Sequence, residues 1–124
     1  MIQYPRLFII PQDKKGKDMV SIEDFQKLEF IIAQVKEVRA HPNADRLYVV
    51  KVDTGSGERQ LVAGIRPSYA PEQLTGKRVV IVSNLQPATI RGEESQGMIL
   101  AASDANGHSV LMPDRDVALG SRVK

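Results

Sequence analysis

Four side chains between residues 84 and 96 carry the chemistry that stands out in this chain: Asn84, Arg91, Ser95 and Gln96. They supply a guanidinium, a hydroxyl and two carboxamides, a set suited to phosphates, sugars and exposed base edges. The segment that holds them, NLQPATIRGEESQGMILAA (84–102), joins two apolar runs, Val79–Val82 and Met98–Ala101. Arg91-Gly92 puts a guanidinium at the loop tip, where glycine permits close backbone approach, so Arg91 is expected to touch a phosphate backbone. Asn84 and Gln96 offer amide donors and acceptors, with tying down the loop as the competing role. Catalytic chemistry has no comparable support. Glu93 and Glu94 are adjacent, whereas paired catalytic carboxylates must converge on one bond. Gly55-Ser56-Gly57 lacks the following helix and lysine of a phosphate loop. His41 and His108 have no carboxylate spacing that makes a metal site, and the absence of cysteine excludes disulfides and thiolate chemistry. No cofactor and no independent enzyme are expected.

The charge distribution narrows the choice of partners. The whole chain carries a formal charge of +2, but residues 21–124 hold 13 basic and 13 acidic side chains. The excess sits in residues 1–20, with Arg6, Lys14, Lys15 and Lys17 against Asp13 and Asp18. Counterion release needs several cations meeting phosphates together, which a neutral domain achieves only by gathering charge on one face. Strong nonspecific nucleic-acid binding is therefore not expected. Weak, shape-dependent recognition, or recognition strengthened by a second copy, is compatible with this balance.

The length permits one domain with a modest core. No run approaches a membrane span, and LFII (7–10) is too short for a signal-peptide core, so a soluble, cytoplasmic protein is expected. Residues 1–20 read as an N-terminal extension: an edge strand or docking segment over 1–10 and a linker over 11–19. Ser21 caps a short helix over 22–28, with Glu23 and Asp24 at the positive end of its dipole. Strands are expected over 30–39, 47–52, 59–63, 78–84, 97–102 and 108–112. Asp53–Gly57 and Asp104–Gly107 mark hairpin turns. Pro67–Thr75 reads as a short helix closed by Gly76. An all-β barrel with short helices follows, the five-stranded OB-fold and other small barrels fitting the pattern equally.

Several collinear segments separate these barrels. HPNADRLYVVKVD (41–53), LVAGI (61–65), GKRVVIVSNLQP (76–87), ESQGMILAASD (94–104) and PDRDVALGSRVK (113–124) resemble the tRNA-binding domain at the C-terminus of methionyl-tRNA synthetases. The free-standing dimeric tRNA-binding protein of bacteria is similar. The resemblance covers residues 21–124 and implies a five-stranded OB-fold with flanking N- and C-terminal elements. It also implies a non-catalytic module that captures tRNA for a synthetase, the catalytic part of the methionyl enzyme being the partner in cis or in trans. A homodimer is implied as well, built by the 21–29 helix and the C-terminal PDRDVALGSRV region.

On the matched motifs, the resemblance implies tRNA contact by Arg46, by Ser95 through its hydroxyl, and by Met98 through its thioether. Competing readings make Arg46 a solvated turn cation, Met98 the first core residue of a strand and Ser95 a loop cap. Lys36, Lys51 and Arg66 are secondary candidates for the same surface. The chain also departs from the family pattern, with Ile31 and Gln34 where many relatives are basic, and with Ala88-Thr89 in place of an Arg-Lys pair. Those departures support an alternative of a different class: a dimerisation or protein-interaction module, chaperone-like, with weak RNA binding or none.

Overall fold

β-branched side chains recur through the long strands, where they fit a pleated surface with neighbours on both sides. The computed structural model describes residues 18–124. The elements run α1 (Ile22–Gln26), β1 (Phe30–Ala40), β2 (Tyr48–Asp53), β3 (Glu58–Ala63), α2 (Pro71–Leu74), β4 (Arg78–Val82), β5 (Ala88–Ile90), β6 (Glu93–Ser95), β7 (Met98–Ile99), β8 (Ala101–Asp104), β9 (Gly107–Val110) and β10 (Arg122–Val123). The edge strand or docking segment expected over 1–10, and the linker expected over 11–19 except its last two residues, lie outside the described residues.

β1 is the spine. Its first half pairs antiparallel with β4 and its second half with β2, and the sheet runs β3-β2-β1-β4-β7. A strand shared this way must bend, and the register slips between Val35 and Glu37, which leaves Lys36 as the extra residue of a bulge. The curled sheet closes through side chains as well as backbone. Val62 N–H donates to Ser95 Oγ at 2.9 Å, Gln60 N–H donates to Gln96 Oε1 at 3.0 Å, and Gln96 N–H donates to the Gln60 carbonyl at 2.8 Å. The result is the expected OB-type barrel, mostly strand with short helices at its ends.

Inside the curl, Val50, Val52, Leu61, Ile81 and Ile99 form the main core, joined by Leu74 from α2. Strand alternation sends Val49 and Val62 to the opposite, outer face. Both are nonetheless buried, at 1% and 3% exposure. Over Val62 lies the β5–β6 hairpin, held against β3 through the Gln60 side chain: its Nε2 donates to the Glu94 carbonyl at 2.9 Å and to Glu93 Oε1 at 3.3 Å. The barrel wall is thus apolar on both sides where the hairpin crosses it.

The flanking elements gather at the first half of β1. Ile32 N–H donates to the Ser121 carbonyl, Gly120 N–H donates to the Ile32 carbonyl, and β10 pairs with Phe30 and Ile31. Arg78 donates to the Val117 carbonyl. α1 is capped by Ser21, whose Oγ accepts from Asp24 N–H at 3.0 Å, and Phe25 stacks near Phe30 with ring centroids 5.5 Å apart. Met19, Val20, Ile22 and Phe25 stay exposed along this flank.

Three expectations change in detail. The segment 84–102 is not an open loop: it contains the β5–β6 hairpin. The helix over 67–75 divides into a 3-10 turn at Arg66–Ser68 and α2, because Ala70, held extended before Pro71, cannot continue a helix. The strand over 97–102 divides at Leu100, where pairing passes from β4 to β9.

Candidate functional site

The hairpin turns on Arg91-Gly92, with φ of 53° and 94°. Two consecutive left-handed residues make the turn whose twist matches that of the flanking strands. Glycine takes this conformation freely. Arg91 is the single described non-glycine residue with positive φ, so its neighbours must hold it there.

Those neighbours come from the loop 41–47. The Arg91 guanidinium donates from Nη1 to the Asn43 carbonyl at 3.1 Å, and Asn43 Nδ2 donates to the Arg91 carbonyl at 3.3 Å. Asn43 N–H donates to His41 Nδ1 at 2.9 Å, which makes that nitrogen an acceptor. The ring proton therefore sits on Nε2, which donates to the Ile90 carbonyl at 2.9 Å. His41 is 3% exposed, and its imidazole links the loop to the hairpin much as a backbone pair would. Below, Arg66 Nη1 donates to the Ala44 carbonyl at 3.2 Å while its guanidinium lies 6.0 Å from the Tyr48 ring centroid. A third tie joins Arg39 to Glu93 by an ion pair of 3.0 Å.

Loop and hairpin enclose a concavity of about 330 Å³. Val62, Ser95 and Gly97 lie on its buried side, Leu47, Ile90 and Met98 are half-buried around it, and Leu85, Gln86 and Ala88 are exposed at its rim. Gly97 is confined: a Cβ there would stand 2.7 Å from the Val82 carbonyl oxygen, at a φ of +145°. Arg46 directly precedes Leu47, and Arg91 directly follows Ile90, so each of the two segments carries an arginine next in sequence to a residue that lines the pocket. Arg46 is exposed and has no hydrogen bond or ion pair among the described residues. Asp45 and Glu94 are exposed in the same two segments, so the rim has guanidinium donors without a large positive field.

The other candidates have structural duties. Ser95 is 4% exposed, and its hydroxyl donates to the Gly97 carbonyl while accepting from Val62 N–H. Asn84 accepts from Glu29 N–H at 2.8 Å and donates to the Lys27 carbonyl at 2.6 Å, fastening the end of α1 to the end of β4. Gln96 spends its amide oxygen on barrel closure. Lys36 is exposed in the bulge, and Lys51 stands between Glu37 and Gln60 across the sheet. Ser95 and Met98 thus line one pocket and Arg46 and Arg91 adjoin lining residues along the chain, whereas Asn84, Gln96, Lys36, Lys51 and Arg66 do not line it. Asn43 and Gln60 escaped the sequence reading, and Glu93, weighed there only as one of two adjacent carboxylates, pairs with Arg39 and accepts from Gln60. The adjacent His41-Pro42-Asn43 was the one available signal, since a histidine and an asparagine flanking a proline are suited to a tied turn.

A family described as a putative tRNA binding domain matches residues 30–122. The chain belongs to that tRNA-binding domain family. Within it, a methionine–tRNA ligase of Thermococcus kodakarensis is 54% identical over 113 residues, covering 90% of this chain and 15% of that protein. The chain therefore spans less than a fifth of the length of such relatives. Among solved structures, a MetRS-related protein from Pyrococcus horikoshii superposes with a TM-score of 0.79 at 32% identity, over 86% of this chain and 98% of that one. The chaperone CsaA from Bacillus anthracis superposes with a TM-score of 0.77 at 28% identity, over 86% and 99%. The tRNA-binding domain fold here is thus shared by chains described in quite different terms.

Proposed function

We propose that this chain is a non-catalytic tRNA-binding module that captures tRNA in the cytoplasm for a methionyl-tRNA synthetase, in cis or in trans. The observation that carries the reading is the placement of Arg46 and Arg91 on two segments tied together beside one pocket. Arg46 has all its donors available, and Arg91 keeps most of its own after bonding Asn43. With 13 basic and 13 acidic groups over 21–124, binding rests on a few directed contacts to phosphate and sugar, so recognition follows tRNA shape and backbone. Met98 supplies apolar contact; Ser95, Gln96 and Asn84 support the surface from behind. Lys36, Lys51 and Arg66 are auxiliary cations at most. Residues 1–20 serve as an extension outside the binding domain.

The exposed apolar side chains of Met19, Val20, Ile22 and Phe25 support a homodimer whose interface includes α1 and the C-terminal segment. A two-fold pair places two modest RNA surfaces on one platform, and the second contact forms at high effective concentration. The same apolar flank favours a second reading, a protein-interaction or chaperone-like module, in keeping with the structural likeness to CsaA.

Filter binding of unfractionated tRNA across a salt series separates the two. The tRNA reading expects affinity to fall with salt, and Arg46→Ala or Arg91→Ala each to weaken it and to reduce the log–log salt slope by about 1. Absence of tRNA retention at low salt would overturn it in favour of the interaction module.

A further inference from the structure

We propose that the concavity between loop 41–47 and the β5–β6 hairpin is a receptor for one unstacked nucleobase of the bound RNA. The inference rests on the tRNA reading above and adds a base-reading subsite to it. At about 330 Å³ the pocket lies at the small end of ligand sites, which suits one planar ring with its sugar and phosphates left outside. Leu47, Ile90, Met98 and Leu85 offer aliphatic and thioether surface to the two faces of a ring. Bases extruded from a helix are commonly held between apolar side chains in this way.

The polar groups are distributed as a base would require. On the buried side, the Ser95 hydroxyl is already committed to Val62 and Gly97, so it leaves no strong donor to repel an apolar face. At the rim, Gln86 is exposed and its carboxamide carries both donors and an acceptor, which can match a base edge. Outside the pocket, Arg46 and Arg91 stand in chain positions adjoining Leu47 and Ile90, where the two phosphates flanking an extruded nucleotide would fall. An apolar peptide side chain would use the same walls but has no need of two guanidinium groups beside them. That charge complementarity selects the nucleotide.

Methyl resonances test the assignment directly. With isotope-labelled Met, Ile and Leu methyls, unfractionated tRNA is titrated into the full chain, and in parallel an abasic oligonucleotide of the same charge and a short leucine–lysine peptide. The expected result is ring-current shifts at the Met98 and Ile90 methyls with tRNA and none with the abasic strand. Ala88→Trp, at an exposed rim position, should fill the mouth and weaken tRNA binding about tenfold while leaving the salt slope unchanged. Binding of tRNA with silent pocket methyls, or equal shifts with the abasic strand, would overturn the base subsite while sparing the tRNA reading. Failure of tRNA to bind at all would overturn both. Shifts produced by the peptide and not by tRNA would assign the pocket to a protein segment instead.

Discussion

Arg91 and Asn43 hold each other by the backbone. Each side chain donates to the other's carbonyl, at 3.1 and 3.3 Å, so the tip of the β5–β6 hairpin and the loop 41–47 behave as one unit. The guanidinium that is expected to meet RNA also stabilises the turn that presents it.

This double role splits by substitution. Asparagine tolerates the left-handed conformation of Arg91, so Arg91→Asn should keep stability within about 1 kcal/mol, whereas Arg91→Val should cost about 1–2 kcal/mol in urea denaturation. Both should weaken tRNA binding to a similar degree in the same filter assay.

His41 joins Ile90 and Asn43 while nearly excluded from water. Replacing it with alanine removes the partner of the Ile90 carbonyl and of the Asn43 N–H, both part-buried. His41→Ala is expected to lower stability by about 1–3 kcal/mol and to reduce tRNA affinity without any contact of its own being lost. Amide hydrogen exchange should show faster exchange confined to residues 41–47 and 88–95.

Ser95 and Arg46 should give opposite phenotypes. Ser95→Ala removes two buried backbone contacts and should destabilise by about 1–3 kcal/mol. Arg46→Ala, at an exposed position, should change stability by less than about 0.5 kcal/mol and yet weaken tRNA binding several-fold. Thermal melts beside binding curves read both outcomes from the same samples.

Phe25 is exposed at the apolar flank and leans on Phe30. Phe25→Asp places a charge where the proposed two-fold interface needs apolar cover. Sedimentation velocity across concentrations should show the parent chain as a dimer and this variant as a monomer with an unchanged circular dichroism spectrum. A parent chain that sediments as a monomer at every concentration would remove the dimer from the proposal.

Much of the barrel was legible because its strands obey simple alternation between turn signals, and Asp53–Gly57 announces its own hairpin. The β5–β6 hairpin was hidden because its turn uses Arg91 at a left-handed position, where the usual cue is asparagine or aspartate before glycine. β10 was hidden because two residues, Arg122 and Val123, carry no periodicity; they pair because the preceding chain is already fastened at Gly120 and Ser121. At the site, residue types pointed to Arg91, Ser95 and Met98, but type does not reveal whether a hydroxyl faces solvent or a strand edge. Ser95 and Asn84 show the difference: their hydrogen-bonding capacity is consumed by Val62, Gly97, Glu29 and Lys27, partners far apart in sequence or set by a local turn.

Val62 is buried on the outer side of the barrel wall, beneath the hairpin. A segment clamped over its own small hydrophobic layer has lost its conformational freedom before any visitor arrives. Meeting a nucleic acid then demands little further ordering, so encounter should be governed by collision and orientation, with a heat-capacity change small beside that of a coupled folding event.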